Sequence, residues 1–366
     1  MLSGRGNYRS AGIHQYIHHL LAHLPAAAPE LRLTALIGPD APSPPMPTLR
    51  SRWPTAQPEV RILWEQFALP LVAARAGFDL LHSAAFVVPL AHPGPHVVTV
   101  YDLSFLITPE RFRPGRRRYL SLFTALSCRR ARRVIAISEN TRADLARRYR
   151  LPLEKIDVAY PGVGAQFCPR PAEEVAAFRQ QHALPETFVL SIGTIEPRKN
   201  LNGLIRAFAR LNLPEVKLVL AGGKGWMYEE IFRLIEYLGL NNSVILPGFV
   251  AERDLPLWYN AAAVFAYPSV YEGFGLPPAE ALACGTPVVV ADTSSLPEVV
   301  GEAGLRVPPE DADALADALH AALTDSALID SLRERGPQQA ARFSWQRTAE
   351  ATAATYRRAL LGDSTR

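Results

Sequence analysis

The sequence is poor in cysteine, methionine and lysine. Its three cysteines, Cys128, Cys168 and Cys284, are scattered and lack metal-ligand spacing. That excludes a disulfide framework and a cysteine-bound metal, and it predicts reduced thiols in a cytoplasmic protein. No apolar run reaches the length of a membrane span. The first 25 residues are rich in glycine, arginine and histidine, so no signal peptide is expected. Charged residues make up 20% of the chain and apolar ones 48%, which excludes disorder. A chain of 366 residues is long enough for two domains.

With four lysines, the chain carries its positive charge mostly on arginine. The net charge is only +4, but it is uneven. Thirteen arginines lie between Glu110 and Arg150, against three acids (Glu110, Glu139 and Asp144). This arginine-rich region, 111–150, reads either as a solvated helical face or as a patch that docks on an anionic membrane surface or a phosphorylated lipid. Nucleic acid is disfavoured, because no aromatics interleave as a stacking platform.

Apolar β-branched runs alternate with helical patterns in both halves. Residues 1–12 read as a glycine loop feeding a helix over 13–24. The strand that normally precedes such a loop is missing or reduced to Met1-Leu2. Strands are expected at 32–38, 79–83, 96–102, 133–138 and 156–162, and helices at 63–76, 115–131 and 139–149. Residues 39–58 read as an irregular proline-rich loop. Ser138 is a candidate N-cap, in competition with Asn140 and Thr141. Residues 163–171 read as a linker. Strands then recur at 188–193, 217–223, 244–248, 264–268, 287–291 and 304–307, with helices between and after them. This pattern means α/β architecture, with two doubly wound domains and ligands at the carboxyl ends of the strands.

The most informative stretch is Pro268 to Asp292, PSVYEGFGLPPAEALACGTPVVVAD. It reads as glycine loop, helix and strand. Glu272 lies before the helix and Glu280 in its first turn, eight residues on. Gly273 and Gly275 allow close main-chain approach to a ligand. The amides around Phe274, Gly275 and Leu276 precede a helix that Pro277-Pro278 starts. In IGTIEPRKN, Arg198 and Lys199 sit at a strand's carboxyl end beside a helix N-terminus, a pairing suited to a diphosphate. Glu196 suits a local ion pair with one of them. AGGKG (221–225) and LPGFV (246–250) supply two more loops at strand ends.

These motifs, with AGIHQYIHHLL, VVTVYDLSF, AISENTRADL and VAYPGV in the first half, resemble the retaining nucleotide-sugar glycosyltransferases of family 4 (glycosyl transferases group 1). Among these the resemblance is to bacterial mannosyltransferases of surface polysaccharide synthesis. It implies the GT-B architecture, two Rossmann-like domains facing across a cleft. An acceptor-binding domain would cover 1–165 and a donor-binding domain 172–343. A terminal helix over 344–366 would cross back to the first domain. By the same resemblance, Arg198 and Lys199 hold the donor diphosphate and Glu280 the ribose. Glu272 and the amides of Phe274 and Gly275, flanked by Gly273 and Leu276, hold the sugar. Phe249 and Val250 flank the base, Gly12 lies near the phosphates and acceptor, and Asp102 contacts the transferred sugar or acceptor.

The implied reaction moves a hexose, with mannose favoured, from a GDP- or UDP-linked donor to a glycan or lipid-linked acceptor. It keeps the anomeric configuration and needs no metal or cofactor. The alternatives are a sugar phosphorylase, a nucleotide-sugar epimerase, or a non-catalytic nucleotide-sugar binding subunit. Location would be cytoplasmic, peripheral to the inner membrane face. Two positions depart from the family pattern: Thr194 stands where many members have arginine, and Tyr101 where many have histidine.

Overall fold

The computed structural model describes residues 11–361 other than 224, 226 and 227. Met1-Leu2, the candidate remnant of a first strand, and most of the glycine loop fall on residues 1–10, outside the described residues. The chain divides into two compact units, one holding residues up to Gly162 and from Ser344 onwards, the other spanning Val163–Phe343.

The first unit carries β1 (Ala35–Ile37), β2 (Thr48–Arg50), β3 (Leu81–Ser83), β4 (His96–Val100), β5 (Arg133–Ala136) and β6 (Ile156–Val158). β3 to β6 form a parallel four-stranded sheet in sequence order, and β1 pairs with β2 apart from it. β4 is buried along its whole length, as a strand covered on both faces should be. β2 lies inside the stretch expected to be irregular. Three residues paired along one edge leave little pattern to read.

The Glu139–Tyr149 helix is capped as expected: Ser138 Oγ accepts the Thr141 amide at 3.0 Å. The helix expected over 63–76 begins earlier, at Pro58, and has a π-helical stretch at Trp64–Ala68 before continuing to Ala76. The Trp345–Leu361 helix packs on the Ala11–Ala27 helix. Trp345 stacks on His19 at 4.6 Å, and Arg358 joins Arg133 on Asp157, each at 2.7 Å or less. A Cβ on Gly162 would lie 2.1 Å from the Trp345 amide nitrogen, so only glycine fits where these two segments touch.

The second unit carries β7 (Thr187–Ile192), β8 (Val216–Ala221), β9 (Val244–Gly248), β10 (Val264–Tyr267), β11 (Val288–Ala291) and β12 (Leu305–Val307). All pair in parallel, in the order β12-β11-β10-β7-β8-β9. Strand order therefore reverses at β7, with β8 and β9 added to one side and β10 to β12 to the other. This is the 3-2-1-4-5-6 order of a doubly wound nucleotide-binding sheet. The Leu201–Ala209 helix buries Leu201, Leu204, Ile205 and Phe208, an i, i+3, i+4, i+7 stripe. Each such side chain contributes roughly 1.5–3 kcal/mol. The Ala172–Gln181 helix, within a segment with no predicted element, buries only Phe178.

Candidate active site

In an open parallel sheet a ligand site forms beyond the carboxyl ends, at the point where strand order reverses. Here that point lies between β7 and β10, which are adjacent in the sheet. The loops that leave the strands there are bound to one another. The Gly193 amide donates to Ala221 O (2.9 Å), Ile195 N to Gly223 O (3.0 Å), and Gly222 N to Gly248 O (2.7 Å). On the other side, Val270 N donates to Arg198 O (2.9 Å) and Glu272 N to Ser294 Oγ (3.0 Å). Ser295 Oγ donates towards Glu272 O and Phe274 O. Main-chain bonds, with the Ser294 and Ser295 hydroxyls, thus fix the loop geometry beneath the charged side chains.

Arg198 and Lys199 come from the loop after β7, and Glu272 from the loop after β10. The three meet across the reversal point. Lys199 Nζ lies 2.7 Å from Glu272 Oε1, and Arg198 Nη1 contacts the same oxygen. Tyr267 OH donates to it at 3.0 Å and Ser269 Oγ at 2.7 Å. Lys199 also donates to Tyr267 OH and sits 4.4 Å over its ring. Arg198 is held further by Glu196 Oε1 at 3.1 Å, the local pair expected from the sequence, and by Tyr271 O at 2.7 Å. Arg198 therefore has its own fixed partners beside Thr194, which lies half-buried against the Gly225 turn.

Burial works to raise the Glu272 pKa, but the charges of Arg198 and Lys199 outweigh it and hold the carboxyl well below its usual range. Burial and the neighbouring guanidinium bring Lys199 down to about 8, against the pull of Glu272. Burial would lower Arg198, yet Glu272 raises it, so it stays charged. Replacing a buried ion cluster of this kind with apolar groups is often neutral or stabilising, so its presence points to a ligand.

Glu280 sits apart from this cluster. It is the fifth residue of the Leu276–Ala283 helix, in the second turn and not the first as the sequence suggested. Its Oε2 accepts from Tyr259 OH at 2.9 Å. Burial raises its pKa to about 7, opposed by that hydrogen bond. Gly275, the residue before the helix, has φ +110°, and a Cβ there would meet Leu296 Cδ2 at 2.9 Å. Gly273 has no positive φ. The Phe274 ring is buried against Phe343 at 5.2 Å, and its carbonyl accepts from Ser295 Oγ. Leu276 opens the helix. Phe249 is 66% exposed and Val250 half-buried, just past the Gly248 turn.

The remaining two candidates belong to the first unit. Gly12 is exposed and is the second residue of the Ala11–Ala27 helix; the sequence had placed it in the loop. Asp102 follows β4, and its Oδ1 accepts the Ser104 amide at 2.8 Å. Tyr101 faces the interior. Its hydroxyl donates to Ala84 O at 2.8 Å, its ring meets Tyr16 edge-on at 5.3 Å, and burial raises its pKa. It is a core residue and does not stand in for a ligand-facing imidazole.

Sequence reasoning missed Tyr267, Ser269 and Tyr259, whose hydroxyls all point at the two glutamates. Tyr267 and Ser269 carried a readable signal, two hydroxyls just upstream of Glu272. Asp311-Ala312-Asp313 has the spacing of an Asp-x-Asp metal motif, but the structure uses it otherwise. Asp311 caps a helix through the Asp313 and Ala314 amides, and Asp313 pairs with Arg210 at 3.0 Å. Among the described residues, no group of three or more histidine, cysteine or acidic side chains is placed to hold a metal ion.

Comparison with known proteins identifies the family and the fold. Residues 174–339 match the family described as Glycosyl transferases group 1, and residues 10–167 match Glycosyltransferase Family 4. The chain is 35% identical over 265 residues to O-antigen chain mannosyltransferase B of Escherichia coli, covering 71% of this chain and 70% of that protein. It is 32% identical over 281 residues to the serotype-specific mannosyltransferase WbdA of Escherichia coli, covering 73% of this chain but 34% of that longer protein. Sucrose-phosphate synthase from Thermosynechococcus elongatus superposes with a TM-score of 0.75 at 25% identity, covering 96% and 93% of the two chains. The fold is that of GT-B glycosyltransferases, with two Rossmann-like domains. With matches in both halves, the chain belongs to glycosyltransferase family 4, the glycosyl transferases group 1.

Proposed function

We propose that the protein transfers a hexose, with mannose favoured, from a GDP- or UDP-linked donor to a glycan or lipid-linked acceptor, with retention of configuration. The observation that carries this reading is the convergence of Arg198 and Lys199 on one carboxylate at the sheet's reversal point. A diphosphate gives two adjacent cations a natural partner. The mannosyltransferase relatives support the sugar.

In this reading the bond between the anomeric carbon and the β-phosphate oxygen breaks. Arg198 and Lys199 stabilise the charge that builds on the phosphate. The acceptor oxygen attacks the same face of an oxocarbenium-like sugar, and its proton passes to the departing phosphate. Glu280 accepts from the ribose, and Glu272 and the amides of Phe274 and Gly275 orient the sugar. Phe249 and Val250 flank the base, while Gly12 and Asp102 serve the acceptor side. No cofactor or metal takes part.

A thermal-shift screen of GDP, GDP-mannose, UDP and UDP-glucose tests the donor. Saturation at a hundredfold excess over Kd stabilises by about 2.7 kcal/mol. We expect GDP-mannose to raise the unfolding temperature most and the product sugar to keep the donor's anomeric configuration by NMR. Turnover of UDP-hexoses alone assigns the UDP-linked donor instead, and an inverted product, or turnover of neither class, overturns the reading. Donor binding without hydrolysis or transfer would favour a binding subunit.

We place this reaction at an anionic membrane surface. Among the described residues no helix is long and apolar enough to cross a membrane. Much of the arginine-rich region is occupied internally: Arg130 holds the His92 and Pro93 carbonyls, Arg133 pairs with Asp157, and Arg147 with Asp144. Arg130 closes the Pro114–Arg130 helix, and the other end of that helix faces solvent. Its start exposes Arg113, Arg116, Arg117 and Arg118, and the same helix exposes Leu122 (57%) and Leu126 (37%). Cations at a helix N-terminus oppose its dipole, and lipid phosphates there would relieve that. Co-sedimentation with phosphatidylglycerol vesicles should be strong at low salt, fade at high salt, and fail when Arg116, Arg117 and Arg118 become glutamate. Equal binding to neutral vesicles, or none at low salt, rejects this placement.

A further inference from the structure

Glu272 uses its two oxygens unequally. Arg198, Lys199, Tyr267 and Ser269 all direct their donors at Oε1. Oε2 receives no hydrogen bond among the described residues, and the side chain keeps some exposure. A carboxylate with four donors on one oxygen cannot rotate without breaking several of them. The two neutral donors are themselves fixed, with Ser269 fully buried and Tyr267 3% exposed. The single Ser269 proton goes to the carboxylate at 2.7 Å; the Arg198 carbonyl, 3.1 Å away, already accepts the Val270 amide.

We propose that Ser269 and Tyr267 are positioning residues that clamp Glu272 through Oε1, so that Oε2 is left as a single, fixed acceptor for one hydroxyl of the donor sugar. This rests on the donor-site reading above. Neither hydroxyl touches substrate. Their effect passes through Glu272, and so acts on the sugar and not on the nucleotide. One oriented acceptor rewards a hydroxyl on the correct side of the ring and offers nothing to its epimer. The clamp would thus set sugar choice without contacting the sugar.

The test compares affinities, by calorimetry, for a nucleoside diphosphate and for the corresponding nucleotide sugar. GDP and GDP-mannose form one pair, and UDP and UDP-glucose are run in parallel. In the wild-type protein the sugar should add affinity. Ser269→Ala should leave the nucleoside diphosphate Kd within twofold and reduce the sugar's added affinity about tenfold. Ser269→Thr, which keeps the hydroxyl, should restore it. Tyr267→Phe should act in the same direction, which keeps the proposal open to refutation if either single variant folds poorly. A parallel loss of nucleoside diphosphate affinity in Ser269→Ala shows a merely structural role and overturns the proposal, as does unchanged sugar affinity. If the wild-type protein binds neither nucleoside diphosphate, the donor-site reading fails as well.

Discussion

Lys199→Ala is expected to lower nucleotide-sugar turnover about a thousandfold, the loss seen when one preorganised donor to a developing oxyanion is removed. The ammonium lies 2.7 Å from Glu272 in a buried site, where a charge acts with little screening. Arg198 remains to neutralise Glu272 in the variant, so the fold should lose less than the roughly 3–5 kcal/mol of a fully orphaned buried charge. Thermal unfolding checks that. Lys199 titrates near 8 in the free protein and Glu280 near 7. Because kcat/KM reports the free enzyme, its pH profile should be a narrow bell between those values. Lys199→Arg should remove the alkaline limb. Near-wild-type turnover in the alanine variant would sink the diphosphate assignment.

Glu280→Gln should do two opposed things: stabilise the protein and weaken the donor. The Glu280 carboxyl is raised from 4.5 to about 7 by burial. Below pH 4.5 it is protonated whether the chain is folded or not, and it contributes no pH-dependent difference there. Between 4.5 and 7 the folded protein keeps a proton that the unfolded chain has released, so stability falls as pH rises. Above 7 the full penalty, about 3 kcal/mol, is present. Glutamine keeps an acceptor for Tyr259 OH and removes the charge. The variant should therefore melt roughly 5–10 °C higher at pH 8 and no higher at pH 4.5. The same change removes charge-assisted bonds to the ribose, which should raise the donor KM roughly 10- to 100-fold. A variant that is no more stable at pH 8 contradicts the burial argument, and one with unchanged KM contradicts the ribose assignment.

What could be read from the sequence was whatever consecutive residues encode. The β10 and β11 strands are apolar runs between turn residues, and Ser138 and Glu196 find their partners two or three residues away. The Ala172–Gln181 helix was not legible because it buries one side chain, Phe178, too little for an apolar stripe. The Trp64–Ala68 π-helical stretch leaves no residue-type signature. The site divides in the same way. The charged residues stood out, but their environments depended on hydroxyls that only the folded sheet delivers. Tyr259 reaches Glu280 across 21 positions, and Lys199 reaches Tyr267 across 68. Tyr101 departs from the family pattern in sequence, but only the fold shows that its side chain joins the core, with its hydroxyl on Ala84 O.

The joint at Gly162 and Trp345 also bears on how the protein is made. The first unit lacks its 17-residue closing helix until the whole second unit has been made, because that unit is encoded in between. A ribosome therefore releases the second unit complete while Tyr16, His19 and Asp157 still wait for Trp345 and Arg358. The later unit thus has the means to fold while the earlier one stays open, until the Trp345–Leu361 helix emerges.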